Sequence, residues 1–269
     1  MIPEQTDSER EAALFGDGVD ESGDGRIYRR GTSAEAKEAL RRQFRFLPKF
    51  REVLPVPVPA PEALVDDVLI YRKLRGTVMA ADAHLSFDTR ELARDIAHFM
   101  QALHTLSVED CLMWGVSERD RTEVLLSAFE RVMPHLPVQE RQWAEAWRGG
   151  FDQGEYRTVV VHGDLWYENL LVDPETYRLA GVIDFDTTSL GDPAWDLATQ
   201  LHCGVGFAQL VFDAYGDDDP EMWTRAQRLF QLRQFEGLDW AIRQGDAVEF
   251  EESIAKLRSA GVLGARRDT

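Results

Sequence analysis

The chain has 269 residues, a formal net charge of −18, 44% hydrophobic and 29% charged residues, which suits an ordinary globular protein of one large or two small domains. The acidic balance argues against a nucleic-acid partner, which would need a basic footprint; no apolar run approaches the ~20 residues that span a bilayer, and residues 1–14 lack the basic and apolar regions of a secretory signal. The two cysteines, Cys111 and Cys203, lie far apart without a CxxC pair, which suggests a reducing, cytoplasmic setting without disulfides.

In chain order, residues 1–15 read as a short helix or an arm. Residues 16–25 (GDGVDESGDG) hold four glycines and four acids and read as a loop. Residues 26–30 are a short strand. Residues 34–47 carry Leu40, Phe44 and Leu47 at helical spacing behind the capping candidates Thr32 and Ser33. The run LPVPVPAP at 54–61 is an extended connector, because proline fixes φ and removes a donor. VLIYRKL at 68–74 reads as a strand. It ends at Arg75-Gly76, a hinge candidate. From Asp88 the periodicity is helical, with Leu92, Ile96, Phe99, Met100 and Leu103 on one stripe. Two further helices are expected at 122–133 and 138–147, short strands at 158–161, 169–172 and 179–185, and helix again from Pro193 to about residue 257. The order predicts an α+β protein with a small β-rich lobe (1–75) and a larger, mainly helical lobe (76–269).

The chemistry concentrates in residues 159–196. Asp164 follows a buried strand in VVVHGDLWYEN, Asn169 comes five residues later, and Asp184 ends a strand in IDFD. Loops at strand ends are where such side chains converge on a ligand. Asn169 and Asp184 are hard oxygen donors that suit Mg²⁺, which keeps waters and takes phosphate oxygens as its other ligands. A third carboxylate, Asp164, is then left to orient and deprotonate a hydroxyl. Those roles fit phosphoryl transfer from a nucleotide, which needs positioning and charge neutralisation more than covalent chemistry. A hydrolase with His162 and Asp164 as metal ligands would leave Asn169 without a role.

HGDLWYEN resembles the catalytic loop of the aminoglycoside phosphotransferase and choline-kinase-like family, and IDFDTTSLGDPAWDLA resembles its metal loop and following helix. The resemblance implies a two-lobed protein-kinase-like fold and transfer of the γ-phosphoryl group of ATP or GTP to a hydroxyl of a small polar molecule. Aminoglycosides, the family's namesake acceptors, are among the candidates. It implies Asp164 as the base, His162 as a brace of the catalytic loop, Asn169 and Asp184 as Mg²⁺ ligands, and Asp196 as acceptor of catalytic-loop backbone N–H groups. Arg72, Lys73 and Leu74 would meet the purine through backbone groups. Acids near the C-terminus, Glu236, Asp239, Asp246, Glu249, Glu251 and Glu252, are candidate partners for acceptor ammonium groups or a solvated face. His104, His202, Trp195 and Trp240 read as ordinary helix or packing residues.

The small lobe departs from the kinase pattern of a strand lysine paired with a helix glutamate. The strand offers Arg29 or Arg30 and the helix offers neutral Gln43. Arginine binds phosphate oxygens well. Asp186 reads as a group behind the metal ligands or as a loop residue. Asp20, Ser22, Asp24, Gly25 and Ile27 also match part of a calcium loop, but Gly31 stands at the position that needs a bidentate carboxylate. The rival to catalysis is a kinase-like protein that binds a nucleotide or partner without turnover.

Overall fold

A computed structural model describes residues 17–81, 89–152, 154–216 and 218–259; the helix or arm expected at residues 1–15, and Gly16, lie outside them. Strands β1 (Asp17–Glu21), β2 (Arg26–Gly31), β3 (Pro61–Val65) and β4 (Val68–Arg72) form an antiparallel sheet in the order β1-β2-β4-β3. The acid- and glycine-rich segment is thus half strand, contrary to the loop expectation. Asp17 to Glu21 pair one by one with Gly31 to Ile27, and backbone pairing outweighs the poor strand propensity of Asp and Gly. Only residues 22–25 turn, with Gly25 at φ +75°. This hairpin removes the calcium-loop reading, since its strands stand where the loop and its exit would lie and Asp24 already accepts from Ser22 and Arg26. β3 was not expected either. Pro61 is tolerated because it opens an edge strand.

Helix α1 (Ala34–Val53) starts at Ser33, whose Oγ accepts from Ala36 N at 3.0 Å. It runs past Pro48, where the sequence suggested an end. Phe46, Leu47 and Phe50 are fully buried around that proline, at about 1.5–3 kcal/mol each, which offsets the lost donor. Phe44 is 39% exposed and Gln43 is buried instead, so the apolar stripe is not the one expected. α1 serves both lobes. Leu40 packs with Leu69 and Tyr71 of the small sheet, while Phe46, Leu47 and Phe50 join the large core.

After β4 the chain passes Gly76 (φ +117°), where a Cβ would meet Leu171 Cβ and Val172 O at 3.1 Å. It then enters β5 (Thr77–Val78), which pairs with β7 (Leu170–Val172); β8 (Leu179–Val182) completes this sheet. β6 (Val159–Val161) pairs with β9 (Ser189–Gly191). Around these strands lie α2 (Arg90–His104), α3 (Val108–Trp114), α4 (Arg121–Val132), α5 (Val138–Gly149), α6 (Ala194–Gln200), α7 (Val205–Tyr215), α8 (Met222–Gln244) and α9 (Ala247–Ser259). The expected stripe on α2 is buried throughout. The fold is α+β and two-lobed, of the protein-kinase-like kind. Among the described residues no helix is long and apolar enough to cross a membrane.

Candidate active site

β6 leads into the candidate catalytic loop. Its three valines are buried and fix its place against β9. Directly after it, Gly163 takes φ +81°, and a Cβ there would sit 2.9 Å from Thr187 O, so the turn into Asp164 requires glycine. The loop is held from below by Asp196, which is wholly buried at the start of α6. Its Oδ2 accepts from His162 N at 2.9 Å and from His104 Nε2 at 3.0 Å, and its Oδ1 accepts from Gly163 N at 2.8 Å. Burial alone would raise this carboxyl, but the hydrogen bond and charge of His104, with His162 and the Gly163 N–H, hold it below the ordinary carboxylate range. His104, expected as an ordinary helix residue, is therefore a member of the site's support. Its other ring nitrogen meets the Tyr215 hydroxyl at 2.9 Å.

His162 is wholly buried. Nε2 faces Ile183 O at 3.0 Å, which only a donor satisfies, so Nδ1 is the acceptor for Asp164 N at 3.3 Å. Burial pushes its pKa below the ordinary value. A neutral imidazole with both nitrogens engaged braces the loop and has no lone pair left to act as a base. Thr187 Oγ1 adds a bond to His162 O at 3.0 Å.

Asp164 and Asn169 are brought together. Asn169 Nδ2 donates to Asp164 O at 2.8 Å and to Asp164 Oδ2 at 3.0 Å. With its amide nitrogen committed, Asn169 keeps its oxygen for a cation. On the other side Arg233 Nη2 of α8 lies 2.6 Å from Asp164 Oδ1, an ion pair by distance whose alignment is not that of a hydrogen bond. Arg233 also lies over the Trp166 ring at 5.2 Å. The sequence reading missed Arg233. The available signal was a charged residue one turn beyond Leu229 on a largely buried helix.

Asp184 follows β8 in the left-handed region at φ +60°. Its side chain is 37% exposed, at the open edge of the cleft. Burial of much of its surroundings, then the Asp186 charge, push its pKa up to about 7 against the pull of Arg29, and Asp164 adds to the push. A carboxylate crowded by two others fits a divalent cation, which would relieve that repulsion. Among the described residues no three His, Cys, Asp or Glu side chains form a metal cage. Asn169 with Asp184 is instead a two-donor set of the kind Mg²⁺ completes with water and phosphate.

From the small lobe, Arg29 reaches this loop and Arg30 points outward. Arg29 Nη2 donates to Asp186 Oδ2 at 2.6 Å, and Nη1 lies 3.5 Å from Asp184 Oδ1. Gln43 Nε2 donates to Asp186 Oδ1. Asp186 is thus a hub between Arg29 and Gln43, its side chain only 9% exposed, and not a solvated loop residue. The side chains of Arg72 and Lys73 turn to Glu62 (3.0 Å) and Glu21 (2.7 Å), and Leu74 lies against Gly181. Of the backbone at 72–74, the Lys73 N–H already donates to Gly25 O at 2.9 Å.

Two segments hold the rest. Asp192, wholly buried, accepts two bonds from Arg225, at 2.8 and 3.1 Å, and one from Ala194 N at 2.9 Å. Trp195 is core, as expected. Several of the acids offered as acceptor partners or a solvated face are already engaged: Glu236 by Arg121 (2.9 Å), Asp239 by Arg131 (2.8 Å) and Arg243 (3.2 Å), and Asp246 by the first N–H groups of α9. A hollow of about 420 Å³ lined by Phe129, Glu130, Met133, Glu145, Arg148 and Gly149 shares no residue with this site.

The family model described as "Phosphotransferase enzyme family" matches residues 19–229. An aminoglycoside 3'-phosphotransferase of Streptomyces fradiae is 29% identical over 60% of this chain and 67% of its own length. A viomycin phosphotransferase of Streptomyces vinaceus is 25% identical over 71% and 69%. Among solved structures, the GDP and kanamycin complex of APH(2")-IIIa superposes with a TM-score of 0.83 at 22% identity, covering 91% of this chain and 89% of that one.

Proposed function

The chain belongs to the phosphotransferase enzyme family, and we propose that it transfers the γ-phosphoryl group of ATP or GTP, with Mg²⁺, to a hydroxyl of a small polar molecule. The observation that carries this reading is the Asn169–Asp164 bond at 3.0 Å on a loop locked by Asp196, beside the crowded Asp184 carboxylate.

Asp164 Oδ1 is the proton acceptor. Arg233 Nη2, 2.6 Å from that oxygen, fixes the carboxylate from the side of α8. Asn169 Oδ1 and Asp184 would hold Mg²⁺, which when bound neutralises charge on the phosphates. Arg29, held beside the metal loop, supplies positive charge for the phosphate oxygens. The backbone of 72–74 receives the purine between a nucleotide-binding lobe (1–75) and a catalytic lobe (76–269). The named relatives act on antibiotics, so hydroxylated antibiotics head the acceptor list.

The test is calorimetry with ATP and GTP, with and without Mg²⁺, on wild type and Asp184→Ala, followed by turnover of Asp164→Asn. Magnesium-dependent binding is expected in wild type and lost in Asp184→Ala. Asp164→Asn keeps binding and loses about 10²–10⁴ in rate. Binding of neither nucleotide, or unchanged turnover in Asp164→Asn, would refute the reading.

A further inference from the structure

In the kinase arrangement an acid on the helix holds the strand cation against the phosphates. Here that helix, α1, carries the neutral Gln43, and the cation is Arg29. The missing anion comes from the metal loop itself. Asp186 sits between the two, with Oδ2 accepting from Arg29 and Oδ1 from Gln43, and its carboxylate is 9% exposed. We propose that Asp186 is a positioning residue that replaces the helix acid: it holds Arg29 toward the nucleotide phosphates and off the Asp184 carboxylate. This rests on the phosphotransferase reading above.

The geometry gives the reason. Arg29 has two anions in reach, Asp186 at 2.6 Å and Asp184 at 3.5 Å. A guanidinium is always charged and, when buried, settles on the nearest carboxylate. Without the Asp186 charge, that carboxylate is Asp184, the expected metal ligand. Arg29 would then compete with the cation and withdraw from the phosphates. With Asp186 in place, Nη2 is fixed on its Oδ2 and Nη1 stays 3.5 Å from Asp184, while the guanidinium also hydrogen-bonds Tyr71.

Gln43 fits the same logic. Its amide nitrogen occupies Oδ1 of Asp186 and leaves Oδ2 for Arg29. A glutamate at position 43 would set two carboxylates against each other at hydrogen-bond distance, a repulsion that a buried site does not screen. Gln43 and Asp186 are therefore a matched pair, in which the acid has moved from the helix to the loop.

The experiment is binding of ATP and of GTP by calorimetry, in EDTA and in Mg²⁺, for wild type, Asp186→Asn, Gln43→Glu and the double variant, together with melting of each ligand-free protein. Asp186→Asn removes a negative charge beside the phosphates, so charge alone would tighten binding. Positioning predicts the reverse, a loss of about tenfold, the scale of one charge-assisted hydrogen bond. Gln43→Glu weakens binding similarly. The double variant has the wild-type net charge with its acid back on the helix, and its affinity is expected within about threefold of wild type, the coupling expected of residues in contact. Binding by Asp186→Asn that is unchanged or tighter overturns the assignment, as does a double variant no better than Gln43→Glu alone. If Asp186→Asn does not fold, the comparison of Gln43→Glu with the double variant decides, because a mere packing role predicts further loss. A wild type that binds neither nucleotide overturns the functional reading, and this assignment falls with it.

Discussion

Asp196 accepts three hydrogen bonds at a point that no solvent reaches, so it offers a direct test of how the catalytic loop is held. In Asp196→Asn the amide oxygen can take the place of Oδ2 and keep the bonds from His162 N and His104 Nε2, now found at 2.9 and 3.0 Å. The amide nitrogen then faces the Gly163 N–H, which loses its 2.8 Å acceptor. One orphaned buried donor costs about 1–3 kcal/mol. The two surviving bonds lose their charge assistance and weaken by roughly half. The total is about 3 kcal/mol, equivalent to roughly 6–12 °C in Tm for a chain of this size. Asp196→Ala orphans all three donors and costs about 3–9 kcal/mol, which approaches the whole stability of a typical protein. The assay is thermal melting and urea unfolding of both variants, with turnover measured well below either midpoint. The displaced Gly163 N–H sits one residue from Asp164, the proposed base, so folded Asp196→Asn is expected to lose about 100-fold in rate, the effect of a misplacement near 1 Å. A melting temperature within about 2 °C of wild type for Asp196→Asn would refute the reasoning, since it would mean that the Gly163 N–H had found another partner at negligible cost.

Arg225→Met strips a wholly buried Asp192 of two bonds and should cost about 3–5 kcal/mol by urea unfolding. Adding Asp192→Asn should recover part of that loss, because the buried charge that Arg225 neutralised is gone. His162 and His202 are both held below the ordinary value of 6.5 by burial, with Arg233 and Lys256 adding to the effect at His202. The unfolded chain therefore takes up their protons first. The stability they allow is complete above about pH 6.5 and is lost as pH falls through the folded values. Asp184, raised to about 7, works in the opposite sense over this range, so the histidine contribution is read by difference: the fall in urea midpoint below about pH 6.5 should be smaller in ligand-free His202→Phe than in wild type.

Much of the large lobe was legible because its signals are local. The stripe on α2 repeats within fifteen residues, and the three valines of β6 advertise a buried strand. Asp164, Asn169 and Asp184 stand in two short segments, and the Asn169–Asp164 bond spans only five residues. The failures have the opposite character. β1 is a strand only because β2 lies beside it, and its own residues argue for a turn. α1 crosses Pro48 because a core built largely by later residues covers Phe46, Leu47 and Phe50. His104 looked like a helix residue until α6 and α7 placed Asp196 and Tyr215 against its two nitrogens, over separations of 92 and 111 residues. Local reading prices none of these contacts.

The small lobe shows how such a failure can mislead about function. Read alone, neutral Gln43 is a lost acid, and its loss favours a protein that binds without turnover. In three dimensions the acid is present, on Asp186, at separations of 143 residues from Gln43 and 157 from Arg29. Charge balance around a phosphate site constrains the sum of nearby charges more tightly than the element that supplies each one. A substitution that breaks a motif therefore counts against activity only after the residues facing it have been placed. Here the residue that faces it follows the expected metal ligand by two positions, and the apparent departure of Gln43 and the unassigned acid of IDFD become one arrangement.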